Sequence, residues 1–294
     1  MSRLPKISIV TPSFNQAAFL EDAILSIRAQ EYPNVEHIVI DGGSTDGSRA
    51  ILEKHGDRLA FWCSEKDEGQ YHAVNKGHAK SNGEIMGWLN SDDRYAPWAL
   101  KVVGEIFATF PEVEWLTTLF PMRWDREGRA VRCSAREGYP RGGFMRGENL
   151  PVGDWFWRGW IQQESTFWRR SLWGRAGGGL DTAWKLGGDF ELWARFFQHA
   201  ELFGISTPLG GFRLHGDQRS KNFFERYKQD ALEILEQAGG SPRGKTASSL
   251  RYRALRCLPG WLAPAAEKAG LLFRAKVINH KRAGDGWEIA SVLC

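Results

Sequence analysis

The stretch Gly83-Glu84-Ile85-Met86-Gly87-Trp88-Leu89-Asn90-Ser91-Asp92-Asp93 decides how the rest of the chain is read. Ile85 to Leu89 is a short apolar run that stops abruptly at two adjacent carboxylates. An apolar run of that length, bounded by polar residues, reads as a buried strand with the acids at its carboxyl end. Towards the N-terminus, residues 70–82 have helical spacing and Leu59 to Cys63 reads as another strand. Val35 to Ile40 is a third, stopped by Asp41-Gly42-Gly43, with a helix after it that starts near Ser44 or Asp46. Residues 17–30 place Phe19, Leu20, Ala23, Ile24 and Ile27 on one helical stripe. Before them, Ile7 to Val10 is a β-branched strand ending at Thr11-Pro12-Ser13. On the other side of the acids, Ala96 to Phe110 has helical spacing and Trp115 to Phe120 is apolar again. Strands alternating with helices of about 10–15 residues imply parallel pairing in an open α/β sheet. Ligands of such sheets sit beyond the carboxyl ends of the strands. That rule singles out three polar clusters, Thr11–Asn15, Asp41–Asp46 and Asn90–Asp93.

The whole chain has 294 residues, 42% hydrophobic and 25% charged, which is enough to bury a real core. Lys plus Arg number 39 against 35 Asp plus Glu, so the net charge is only +4 and nucleic acid is not an expected partner. No run of apolar residues is long enough to span a bilayer, and MSRLPKISIV enters the first strand without a signal-peptide pattern. Cys63, Cys133, Cys257 and Cys294 are scattered without metal-ligand spacing, which favours a reduced, cytoplasmic protein. The 14 tryptophans suit either the apolar faces of sugars or an ordinary core. Trp155, Trp157 and Trp160 are the ones that fit an acceptor site, and core packing fits them equally.

Residues 123–182 are irregular, and helical patterns return at Phe190 to Phe197 and Phe223 to Leu235. Gly239-Gly240-Ser241-Pro242 then marks a boundary. Beyond it, residues 242–294 carry ten Lys/Arg against three acids. The expected organisation is a catalytic unit over 1–241, with halves of about 1–120 and 121–241, and a basic helical extension over 242–294. Two readings of that extension stand side by side: an amphipathic surface meeting an anionic membrane, or a segment packed on the catalytic unit.

Adjacent carboxylates at a strand end repel unless something positive joins them. Mg²⁺ or Mn²⁺ carrying a nucleotide diphosphate does so, because hard cations prefer oxygen ligands and share them with phosphates. The same pair also fits helix-capping acids before Pro97. Asp41-Gly42-Gly43-Ser44-Thr45-Asp46-Gly47 matches neither GxGxxG nor the phosphate-binding loop ending in GK[ST]. It fits a plain turn, or a close backbone approach to a flat ligand.

A series of motifs in order makes the chain resemble the family 2 glycosyltransferases of the GT-A fold. They are Ile9-Val10-Thr11-Pro12-Ser13-Phe14-Asn15, VIDGGSTDGS at 39–48, SEKDEGQYHAVNKG at 64–77 and GEIMGWLNSDD at 83–93. QQESTFWRRSLW at 162–173, GLDTAWKLGGDFELWARF at 179–196 and FRLHGDQRS at 212–220 follow. The resemblance implies an open mixed sheet flanked by helices, and transfer of a sugar from a nucleotide donor with inversion. The acceptor it implies is a hydroxyl of a cell-surface glycan or a lipid-linked oligosaccharide. Thr11, Pro12, Ser13 and Asn15 would border the nucleotide, Asp41 and Asp67 would approach base and ribose, and Lys76 would lie near the donor. Asp92 and Asp93 would hold the nucleotide and its Mn²⁺ or Mg²⁺, with Asp93 the direct ligand. His215 would reach the metal or diphosphate, and Asp189 would be the catalytic base. Such a protein would work in the cytoplasm, peripheral on the inner face of the membrane where the extension binds lipid.

Two departures stand out. Gly42 follows Asp41 where many members have a second acid, and Gly188 precedes Asp189 where the motif usually reads Glu-Asp. Two rival functions follow from the same residues. A sugar nucleotidyltransferase would need a Gly-rich, Lys/Arg-bearing loop after the first strand, which Thr11-Pro12-Ser13-Phe14-Asn15 does not supply. An inactive glycan-binding or scaffold protein would have no need to keep Asp92, Asp93 and Asp189 together.

Overall fold

Strand β1 (Ile7–Ser13) is buried along its whole length, its serines and Thr11 included, and lies inside a nine-stranded sheet. The computed structural model describes residues 3–150, 158–216, 218, 222–242, 259–281 and 286–294. The remaining strands are β2 (Val35–Asp41), β3 (Phe61–Ser64), β4 (Ile85–Trp88), β5 (Arg94–Tyr95), β6 (Trp115–Thr118), β7 (Met122–Trp124) and β8 (Ala130–Cys133). They continue with β9 (Phe167–Arg169), β10 (Leu202–Ile205), β11 (Gly210–Arg213), β12 (Arg274–His280) and β13 (Trp287–Leu293). The helices are α1 (Ala17–Arg28), α2 (Ser48–His55), α3 (Gln70–Lys80), α4 (Ala99–Thr109) and α5 (Arg141–Met145). After them come α6 (Arg170–Arg175), α7 (Gly188–His199), α8 (Phe224–Gln237) and α9 (Ala263–Lys268).

The large sheet runs β13-β12-β10-β6-β9-β4-β1-β2-β3. β3, β2, β1 and β4 are mutually parallel, in the order that alternating strands and helices predict. β9 enters antiparallel between β4 and β6, which makes the sheet mixed. A smaller sheet, β5-β11-β7-β8, carries β11 close to the ends of those parallel strands. Alternation along β1 feeds two cores: Ile7 and Ile9 join the cluster around Leu100, Val103 and Ile106 of α4, whereas Val10 joins the cluster around α7.

That second cluster takes up most of the described tryptophans. Trp88, Trp115, Trp168 and Trp193 are fully buried, with Trp193 stacked on Trp88 at 6.5 Å and on Trp115 at 5.6 Å between centroids. Removing one such ring costs roughly 3–5 kcal/mol. Their abundance is therefore mainly a property of the core. Trp155 and Trp157 lie outside the described residues.

The expected helical extension is corrected in its last third. Residues 274–280 pair parallel with β10, Phe203 opposite Lys276 and Ile205 opposite Ile278, and residues 287–293 pair antiparallel with them. The central sheet thus runs through the boundary expected near 241. The reason is burial: Ala275, Val277 and Ile278 are core residues, and in this part of the described chain the helical residues are those of a 3-10 turn at Gly260–Leu262 and of α9. Those side chains are unavailable to a membrane, while Leu250, Leu255 and Leu258 with their neighbouring arginines lie outside the described residues. Among the described residues no helix is long and apolar enough to cross a membrane.

Candidate active site

A cavity of about 1370 Å³ opens beyond the carboxyl ends of β1, β2 and β4. Asp92 and His215 both line it, although they are far apart in the chain. β11 brings them together. Arg213, buried beneath the loop, donates from Nε to the Asp92 carbonyl at 2.6 Å, and its backbone N–H donates to Asp93 Oδ1 at 2.9 Å. An ion pair with Asp22 holds its guanidinium. Two residues further on, His215 Nε2 lies 2.9 Å from Asp92 Oδ2, with its ring against Phe19 at 4.7 Å. The carboxylate suits Mn²⁺ or Mg²⁺ when phosphate oxygens and water complete the shell, and the imidazole beside it is a nitrogen donor more suited to Mn²⁺ than to Mg²⁺. Among the described residues no three His, Cys, Asp or Glu side chains gather into a full cage, as a site shared with a ligand allows.

Asp93, expected as the direct ligand, does not line the cavity. Its side chain is buried, bound by the Arg213 N–H and by Asn90 Nδ2 at 3.3 Å. Burial, then the nearby Asp92 and Glu164 charges, raises its pKa well above the ordinary carboxylate value. Asp92 is the member of the pair that lines the cavity.

The nucleotide-side expectations divide in the same way. Pro12, Ser13 and Asp67 line the cavity. Thr11 is buried, with Oγ1 3.0 Å from His37 Nε2, and so supports β1 from beneath. Asn15 turns away with φ 52° and accepts from the Thr45 N–H at 2.9 Å. Asp41 is fully buried and accepts from Ser44 N–H at 2.9 Å, Ser44 Oγ at 2.5 Å and Ser64 Oγ at 2.7 Å. It shapes the Gly42-Gly43 turn, and those glycines reach the cavity in its place. Lys76 is paired with Glu65 and does not line the cavity. Gly42 has a local reason: a Cβ there would sit 3.0 Å from Asp67 Oδ2. The Asp67 carboxylate fills the space of the missing second acid.

Across the cavity, Asp189 lies in the first turn of α7 and faces inward. The Tyr227 hydroxyl of α8 donates to its two carboxylate oxygens at 3.4 and 3.3 Å. Burial pushes the Asp189 carboxyl up to about 6, against hydrogen bonds from the Phe190 N–H and Tyr227 that hold it down. Tyr71 fixes the turn before it, donating to Leu186 O at 2.6 Å and accepting from the Gly188 N–H at 2.9 Å. A Cβ on Gly188 would lie 2.6 Å from the Tyr71 ring. Tyr71 thus occupies the room that a glutamate before Asp189 would need. Trp160 packs on Phe190 and Tyr227 and also lines the cavity, so it belongs to both core and site.

One carboxylate was not anticipated. Glu164, in a short turn over Gln163–Ser165, is buried at the cavity wall, and its Oε1 has no hydrogen-bond partner. Burial, with repulsion from Asp189 and Asp92, pushes it up to about 8. Beside it, Gln163 Nε2 donates to the Trp88 carbonyl at 2.7 Å, and its Oε1 accepts from Asn90 Nδ2 at 3.2 Å. Glu164 stands inside the QQESTFWRRSLW motif, so its place was marked in the sequence without a role. Tyr227 lies on an amphipathic helix and carried no signal at all.

The glycosyl transferase family 2 model matches residues 8–159, just over half of the chain. An uncharacterized glycosyltransferase of Mycobacterium tuberculosis, Rv1514c, is 42% identical over 97 residues, 33% of this chain and 37% of that protein. The matched region therefore spans little more than a third of that relative's length. Among solved structures, Staphylococcus aureus TarS 1–349 in complex with UDP-GlcNAc superposes with a TM-score of 0.59 at 18% identity, covering 78% of this chain and 66% of that one. The mannosyltransferase PcManGT of Pyrobaculum calidifontis, in complex with GDP-Man and Mn²⁺, gives 0.51 at 17% identity, covering 92% and 85%. These likenesses carry the fold, and the family match runs unbroken from β1 past the Asp92 corner. The chain belongs to the family 2 glycosyltransferases.

Proposed function

We propose that the protein transfers a sugar from a nucleotide-diphosphate donor to a hydroxyl of an acceptor glycan, with inversion at the anomeric carbon and Asp189 as general base. The observation that carries this reading is the placement of Asp189, a buried carboxylate pushed up to about 6, in the same cavity as the Asp92–His215 pair. A donor lying over Pro12, Ser13 and Asp67 would bring its diphosphate towards Asp92. Mn²⁺ or Mg²⁺ held there by Asp92 and His215 would stabilise the negative charge that develops on the leaving diphosphate. The TarS and PcManGT complexes, with a UDP-sugar and with a GDP-sugar plus Mn²⁺, support a donor of this class.

The acceptor hydroxyl forms the new bond to the anomeric carbon while the bond to the diphosphate oxygen breaks. Its proton passes to the Asp189 carboxylate, and Tyr227 keeps that carboxylate oriented through the transfer. A carboxylate with a pKa near 6 is ionised at neutral pH yet basic enough to help, a contribution of about 10²–10⁴ in rate. The acceptor is a glycan or a lipid-linked oligosaccharide. Incubation with UDP- and GDP-sugars and Mn²⁺, followed by proton NMR of the anomeric coupling, tests the reading. The expected product is inverted, and its formation stops when a chelator removes the metal. A retained anomer, or turnover indifferent to the chelator, overturns it.

A further inference from the structure

β7 and β8 form the outer wall of the cavity, and their register sets Arg123 directly opposite Arg132. Both side chains are exposed and both line the cavity, as does Arg136 just beyond β8. Like charges directly opposite in an antiparallel pair destabilise it. The two acids of the connecting turn do not relieve them, because Asp125 and Glu127 both pair with Arg129, at 2.7 and 3.0 Å. Among the described residues neither Arg123 nor Arg132 forms an ion pair. Further in, the carboxylates Asp67, Asp92 and Asp189 line the cavity, with Lys66 and Lys185 among them. Arg123 and Arg132 thus stand at the lip, away from the carboxylates deeper in the cavity. A neutral acceptor gives no reason for two facing guanidinium groups at that lip.

We propose that the acceptor is anionic, with a phosphate or carboxylate group bound between Arg123 and Arg132 while its reacting hydroxyl reaches inward to Asp189. This inference rests on the glycosyltransferase reading above. The planar guanidinium forks match either oxyanion bidentately.

The test is calorimetric titration of the full chain at low salt with three probes: a short glycerol-phosphate oligomer, an oligogalacturonate and a neutral maltooligosaccharide. At least one anionic probe is expected to bind about tenfold or more tightly than the neutral one, and the stronger of the two identifies the oxyanion. R123Q/R132Q should lose roughly tenfold, as two partly exposed charged contacts imply. The control R28Q/K101Q, with the same loss of charge on helices α1 and α4, should bind like the wild type. R123E should abolish anion binding and melt no lower than the wild type, because it places a carboxylate opposite Arg132. Equal binding of the neutral probe, an unaffected R123Q/R132Q or an equal loss in the control overturns the proposal. Binding of nucleotide-sugars to the same samples separates the two ideas. Its absence beside intact anion binding would defeat the glycosyltransferase reading and leave the oxyanion site standing.

Discussion

The two sides of the cavity are built on different terms. On the side formed by the ends of β1, β2 and β4, the three strand-end acids already have partners within the protein, although Ser13 Oγ is buried without one. Asp41 is held by Ser44 and Ser64, Asp93 by Arg213 and Asn90, and Asp92 by His215. On the side formed by α7, the Gln163–Ser165 turn and β7–β8, groups are left in costly states. Glu164 keeps an oxygen without a partner, Asp189 is held near 6 by burial, and Arg123 faces Arg132. The acids of the first side are thus largely held in place by the protein itself. Under the proposed mechanism the acceptor and the proton that moves during reaction complete the second, so catalytic power and acceptor choice should concentrate there.

The largest expected effect is at Asp189. Asp189→Asn should lower kcat by about 10²–10⁴ while nucleotide affinity stays within a factor of two or so. Single-turnover kinetics beside nucleotide titration would show it, and near-normal turnover would move the base elsewhere. Next comes the Asp92–Asp93 corner. Asp92→Asn should weaken Mn²⁺-dependent nucleotide binding by about 100-fold or more, whereas Asp93→Asn, a supporting residue behind it, should cost about tenfold. Equal losses in both variants would erase the distinction between them.

A smaller effect is expected from acid. Protonation of Asp189 removes the base, so kcat/KM should fall about tenfold per unit as pH drops below about 6, and this limb should vanish in Asp189→Asn. A limb placed near 4 would mean that the carboxylate is not shielded. The smallest effect belongs to Glu164. Its folded pKa of about 8 lies above the unfolded value of 4.5, so the native state holds the extra proton between them. Stability is then lost as pH rises from the unfolded value through about 8. Glu164→Gln, which cannot ionise, should raise Tm by a few degrees at pH 9 and leave it unchanged at pH 4. An equal shift at both pH values would show that the substitution acts through packing alone.

Much of the first half was legible in the sequence because its signals are local. The apolar runs that became β1, β2 and β4 and the stripe of α1 are each set by a few neighbouring residues, and the loops after those strands supply one side of the cavity. β9 was not legible: three residues, Phe167–Arg169, are too few to show a period, and their insertion between β4 and β6 is decided by partners elsewhere. In the tail, Arg274-Ala275-Lys276-Val277-Ile278 fits a helical stripe as readily as an alternating strand, and β10 settled the choice. At the site, residue type and motif located Asp92, Asp189 and His215. Which of Asp92 and Asp93 faces the cavity depends on the turn closed by the Asp93 N–H to the Asn90 carbonyl at 3.0 Å, a detail of backbone geometry. Tyr71 and Tyr227 act only because distant segments meet.

The late arrival of β12 beside β10 has a consequence for how the chain is made. On the ribosome, everything from β1 to β10 emerges before the strand that closes the edge of β10. Until then Leu202–Ile205 offers open backbone donors and acceptors next to a core of aromatic side chains. An open edge of this kind is a template for pairing with a neighbouring nascent chain. Slow translation through the segment after α8 therefore lengthens the window for aggregation, and chaperones that mask strand edges have their clearest task at that moment of synthesis.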